Sequence, residues 1–191
     1  LPINKLHVVT NENNILKKII TSGEMNINEV KKTYSPSMDI QISSNFERQI
    51  FQSVNNNSEI VKNIMESFYK NKAYKFDNSI KIKFQQSYNS SNISNAQTLD
   101  AIKIFNDKYD YLPDPHTATG LSVLEKIQNP DHPYISLACA HPAKFGYAIK
   151  KAINIMPNIP KELDKIFDKK EKMTILPNNS KDIKSHIIKN I

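Results

Sequence analysis

One cysteine, three glycines and no tryptophan occur among the 191 residues. A lone cysteine excludes an internal disulfide and a multi-thiolate zinc site. Three glycines leave no glycine-rich loop able to cradle a phosphate on successive backbone N–H groups. No apolar run is long enough to span a bilayer and none has signal-peptide form, so the expected setting is a reducing cytoplasm with no membrane partner. Charge is present without being concentrated. Lys and Arg number 26 against 19 Asp and Glu, a net +7, but the lysines are scattered among Asn, Ile and Glu. A nucleic-acid partner calls instead for a basic stripe with interleaved aromatics, so none is expected.

A chain of this length buries about 70% of its unfolded surface and can form one sizeable domain. No internal repeat or low-complexity boundary divides it. Lys5–Thr10 reads as a short buried strand and Asn13–Ser22 as a helix closed by Gly23. After a loop containing Pro36, Phe46, Ile50, Phe51 and Val54 share one helical face, as do Ile60, Ile64, Met65 and Phe68, which predicts two antiparallel helices. Ile80, Ile82 and Phe84 alternate with lysines in the pattern of a half-exposed strand or hairpin arm. A Ser94-x-x-Gln97 capping box opens a helix with Leu99, Ile102, Phe105 and Tyr109 inward. A short segment, Asp114-Pro-His-Thr117, precedes a helix through Lys126. The loop Asn129–Pro133 leads to a strand ending at Cys139. Further on, Lys161–Phe167 reads as a short amphipathic helix, Met173–Leu176 as an edge strand and Ser180–Ile188 as a terminal helix. The pattern is mixed α/β, with a sheet too small to stand without neighbours.

The densest chemistry lies in Ala138–Gly146, A-C-A-H-P-A-K-F-G. It follows an apolar β-type run and opens a helix, because Phe145, Ala148, Ile149, Ala152 and Ile153 recur on one face and Pro142 suits a first turn. In open α/β sheets such strand-to-helix switches gather cofactors and anions, which places Cys139, His141 and Lys144 where chemistry can occur. By itself Cys139 reads as a small buried residue at a strand end. His141 is either a group approaching a ligand or a helix N-cap, with capping favoured. Lys144 at a helix start favours anion attraction or plain solvation. Asp114 and His116 form either a charge-assisted pair near a site or an exposed loop pair, the latter favoured. Asn11, Asn13 and Asn14 favour helix capping over contact with a ligand. Arg48 is either a bidentate anion contact or a surface residue of an amphipathic helix. Cys139, His116, His132 and His141 match no common metal-ligand spacing, so no metal is expected. No Gly-x-Ser-x-Gly elbow supports a serine nucleophile.

Three blocks then line up with a known family. Ser35-Pro-Ser-Met-Asp-Ile-Gln-Ile-Ser-Ser-Asn-Phe-Glu-Arg48, Asp114-Pro-His-Thr-Ala-Thr-Gly120 and Ala140-His-Pro-Ala-Lys-Phe145 resemble, in order and spacing, segments of the C-terminal part of threonine synthase. Leu1-Pro-Ile and Thr10-Asn-Glu-Asn-Asn14 are similar to the stretch just beyond that family's glycine-rich phosphate loop.

The resemblance implies an α/β fold, the helix-rich portion of a fold type II pyridoxal-phosphate enzyme (tryptophan synthase β-like) with an incomplete sheet. It implies that residues 1–191 are a single incomplete domain, the C-terminal portion of the enzyme. The implied reaction of the whole enzyme is O-phospho-L-homoserine plus water to L-threonine and phosphate. The family's Schiff-base lysine, in a Phe-Lys-Asp motif, and its Gly-Asn-Phe-Gly phosphate cup lie N-terminally, and neither motif occurs here. Pyridoxal phosphate needs both an amine and a cup of N–H groups, so the chain is expected to be inactive alone, to contain no catalytic residue of its own and to hold no cofactor covalently. Its expected partners are the N-terminal half of the enzyme and the substrate O-phosphohomoserine, with the substrate-binding residues left open. One cofactor position carries over. A threonine that sits by the pyridine nitrogen in relatives is Cys139 here, a neutral but weaker donor. Relatives tend to have Asp where Asn14 stands. The alternatives are a non-catalytic ligand-binding or interaction remnant, and a threonine-synthase-like phospho-lyase fragment.

Overall fold

In the computed structural model, described for residues 3–124, 126–127, 133–166 and 168–191, the chain divides into two compact units that meet in sequence at Pro157 and Asn158. The first unit holds strands β1 (Leu6–Thr10), β2 (Glu24–Asn26), β3 (Ala73–Lys75) and β4 (Tyr88–Asn92) and helices α1 (Ile15–Ser22), α2 (Glu47–Ser53), α3 (Ser58–Asn71), α4 (Asn78–Ser87), α5 (Asn95–Tyr109), α6 (Pro115–Leu124) and α7 (Gly146–Ile153). The described strands form two pairs. β1 and β4 run parallel, with Val8 opposite Ser90, and β2 and β3 run antiparallel, with Met25 opposite Tyr74. This is a helix-rich α/β architecture with small, incomplete sheets.

Local signals position these elements. Gly23 closes α1 in the left-handed conformation at φ 72°, its N–H bonded to the last-turn carbonyls of Lys18 and Ile19, the conformation glycine adopts at no steric cost. Asn57, Asp77 and Ser94 cap α3, α4 and α5 through their side chains, and the Ser94–Gln97 box is complete in both directions. Ile15, Ile19, Ile50, Ile64, Phe68 and Phe84 bring α1 to α4 onto one apolar core, while Ala101, Ile102, Ala118 and Ile149 form a second core among α5, α6 and α7.

Several expectations are corrected. Residues 80–84 are helical, not extended, because Asp77 Oδ1 accepts from Ile80 N and starts α4. Ile80 and Phe84, one turn apart, pack on the first core, whereas Ile82 faces solvent. Tyr109 does not face inward, being 53% exposed at the last turn of α5. The segment 133–139 is coil that enters no ladder, and Met173–Leu176 is likewise unpaired coil. A strand exists only with a neighbour to receive its N–H and C=O groups, and the ladders of the described residues reach neither segment. α6 ends at Leu124, short of Lys126. In the second unit the expected helix from Lys161 is a single 3-10 turn, Lys161–Leu163, with Phe167 outside the described residues; α8 (Ser180–Lys189) forms as anticipated. The loop positions Asn129–His132 also lie outside the described residues. No helix of the described residues is long and apolar enough to cross a membrane.

Candidate functional site

The first turn of α6 gathers the three sequence blocks. Asp114 precedes Pro115 as an N-terminal cap. Its Oδ1 accepts from His116 N (2.9 Å), its Oδ2 from Thr117 N (3.3 Å), and the Thr117 hydroxyl donates to the same Oδ2. The carboxylate has no solvent exposure. It is therefore not half of an exposed loop pair, because its partners on α6 and in the third block enclose it. It accepts two further bonds, from His116 Nδ1 at 2.8 Å and from Ala140 N at 3.1 Å. Desolvation by burial pushes the Asp114 carboxyl up. Hydrogen bonds from the His116 and Thr117 side chains and from the His116 and Ala140 N–H groups outweigh it and hold the pKa at about 2, since each donor favours the ionised form.

His116 is buried and joins all three blocks. Its Nε2 accepts from Ser37 N at 3.1 Å while Nδ1 faces Asp114. An Nε2 that accepts has no proton, so the ring is the neutral tautomer with hydrogen on Nδ1. Its ring lies 4.6 Å, centroid to centroid, from that of Phe145 of the third block, the two tilted at 59°. Thr117, which no sequence signal singled out, accepts through Oγ1 from Cys139 N at 2.8 Å.

Cys139 is exposed, contrary to its reading as a small buried residue, because the coil segment that carries it has no ladder partner to cover it. Its thiol lies 3.7 Å from Leu137 O. His141 is the expected cap, its Nδ1 accepting from Ala143 N at 3.1 Å. Lys144 is exposed, with its ammonium 5.9 Å from the Phe145 ring centroid. Arg48 lies on the solvent side of α2.

A second polar cluster abuts the first block. Asn11 Nδ2 donates to Asp39 Oδ1 (2.8 Å) and Thr33 Oγ1 (2.8 Å), and Asn13 Nδ2 donates to Asp39 Oδ1 (3.0 Å) and Lys31 O (2.8 Å). The capping reading of these asparagines is corrected. Asn11 and Asn13 are buried tethers of the 31–41 loop, and Asn14, at the cap position of α1, makes no side-chain capping bond. The signal missed was long-range, since their partners lie 18 to 28 residues away. Among the described residues no group of three or more His, Cys, Asp or Glu side chains could hold a metal ion.

Comparison with known proteins agrees with this convergence. A family model described as "Threonine synthase, C-terminal" matches residues 117–187. The chain superposes on a pyridoxal-phosphate-bound threonine synthase from Brucella melitensis with a TM-score of 0.85 and 33% identity, covering 98% of this chain and 40% of that one. Yeast threonine synthase gives a TM-score of 0.80 and 35% identity, covering 90% and 38%. Threonine synthase of Pseudomonas aeruginosa is 30% identical over 189 residues, 98% of this chain and 40% of the relative. Fold and site thus define a portion of a fold type II pyridoxal-phosphate enzyme. Within that class the chain belongs to the threonine synthase family, as the counterpart of its C-terminal part, and it spans about 40% of the length of the relatives it matches.

Proposed function

We propose that this chain supplies one wall of a threonine synthase active site and that, joined to the family's N-terminal portion, it takes part in converting O-phospho-L-homoserine and water to L-threonine and phosphate. The observation that carries the reading is the exposed Cys139, a neutral donor presented on a segment whose backbone N–H groups are fixed by Thr117 and Asp114. The residues present fit part of pyridoxal phosphate. The thiol suits an uncharged contact to the ring nitrogen, whereas the sequence contains neither the Phe-Lys-Asp nor the Gly-Asn-Phe-Gly motif.

When bound, pyridoxal phosphate supplies an electron sink for charge developing on a substrate carbon. The chain's own contribution is orientation and electrostatics. Cys139 offers a hydrogen bond without a charge, so it leaves the ring nitrogen unprotonated. The Asp114 negative charge is consumed by five donors and projects little field into the site. His116, neutral and doubly bonded, is a brace between loops, with both ring nitrogens already engaged.

The test is reconstitution. Purified chain is mixed with the N-terminal portion of a threonine synthase, pyridoxal phosphate and O-phosphohomoserine, and threonine and phosphate are quantified. Equal amounts of both, only when both polypeptides are present, are expected. Phosphate without threonine supports a phospho-lyase instead, and failure of every pairing to bind the cofactor overturns the reading in favour of a non-catalytic domain.

A further inference from the structure

Segment 136–140 is seated on α6 by side chains, in place of a β-ladder. Asp114, Thr117 and Gly120 recur every three residues and so occupy one helix face. They meet the segment in reverse order. Asp114 Oδ2 takes the N–H of Ala140, Thr117 Oγ1 takes the N–H of Cys139, and Gly120 lies beneath Ser136. A Cβ at Gly120 would stand 2.6 Å from Ser136 Oγ, closer than any packed contact, so the glycine permits the close approach that the other two residues exploit.

We propose that this face, Asp114–Thr117–Gly120, is the device that positions Cys139, with Thr117 as the positioning residue that fixes the cysteine's backbone. Its bearing on catalysis rests on the reading that Cys139 meets the cofactor ring. Thr117 is itself ordered. Its hydroxyl donates to Asp114 while its lone pair receives Cys139 N, so the hydroxyl has one available orientation. The His116 contacts to Ser37 N and Phe145 hold the same turn from its other sides. Cys139 is therefore preset before any ligand arrives.

Amide hydrogen exchange in the 15N-labelled chain tests this without cofactor. In the parent, Cys139 and Ala140 N–H are expected to be protected although the surrounding segment is exposed. Thr117→Val removes the acceptor at nearly constant volume and should accelerate Cys139 exchange about tenfold, with the Ile102 and Ile149 amides of the second core unchanged. Thr117→Ser restores the hydroxyl and should restore protection. Absence of protection at Cys139 in the parent, or a Ser variant that exchanges like the Val variant, overturns the proposal. A second arm records the visible absorption of pyridoxal phosphate bound to the reconstituted pair. A band shifted by Thr117→Val and recovered by Thr117→Ser supports the seat acting on the ring. Exchange that responds as expected beside an unshifted band supports the seat and overturns the Cys139–ring contact.

Discussion

Burial and hydrogen bonding pull the Asp114 carboxyl in opposite directions, and the hydrogen bonds win. Because its folded pKa of about 2 lies below the ordinary carboxylate value, the ionised form stabilises the fold above the unfolded pKa. That stability is lost as pH falls through the folded value. The displacement corresponds to something on the order of 2 kcal/mol. Thermal melts of the parent should drop steeply between about pH 4 and pH 2, and Asp114→Asn should flatten that limb while lowering stability at pH 7. Identical pH limbs in the two proteins would count against Asp114 as the hub. At the same scale, Cys139→Ala should weaken pyridoxal phosphate binding by the reconstituted pair about fivefold, the worth of one net hydrogen bond of about 1 kcal/mol. Cys139→Thr, which restores a stronger donor, should match or exceed the parent in a fluorescence titration. The residue types at this site were legible in the sequence because their blocks are contiguous. Their roles were less so. Nothing local distinguishes a buried Asp114–His116 pair from an exposed one, or an Asn11 that tethers a loop from one that caps a helix, since burial and partners come from distant segments.

Elements with local, self-contained signals were the readable ones. The Ser94–Gln97 box and Gly23 each satisfy helix ends with atoms a few residues away, so α5 and the end of α1 follow from sequence alone. Residues 80–84 misled because an alternating Ile80, Ile82, Phe84 also contains an i, i+4 helical pair. The choice was made by the Asp77 cap and by the docking of Phe84 against Phe46 and Phe76. Ser94→Ala should cost about 1 kcal/mol in urea denaturation. Phe84→Ala, emptying a fully buried site, should cost about 3–5 kcal/mol. Gly120→Ala carries a different signature. Its new methyl meets Ser136, so the expected result is a displaced 136–140 segment, read as faster exchange at Cys139 and Ala140. The gain in helix propensity makes α6 itself no weaker. A variant whose Cys139 amide stays protected would show that Ser136 rotates away at no cost to the seat.

At the scale of the molecule, the two-stranded β1–β4 sheet and the unpaired run 133–139 are pieces of an architecture whose parallel strands need neighbours on both sides and cover on both faces. Ile135 and Leu137 are 81% and 79% exposed, and the run's backbone enters no ladder of the described residues. Two exposed large apolar side chains two residues apart, on a backbone with no ladder partner, are what a joining strand would cover. Mixing with the N-terminal portion of a threonine synthase should therefore slow exchange at the Ile135 to Leu137 amides. Ile135→Lys combined with Leu137→Lys should abolish co-elution of the two polypeptides in size-exclusion chromatography. Because both side chains face solvent in this chain, the double variant alone should melt within about 0.5 kcal/mol of the parent, which separates lost assembly from lost folding. Unimpaired co-elution of the double variant would place the joint between the two portions elsewhere on the surface, whereas its loss at unchanged stability would make this short run the edge along which the sheet is completed.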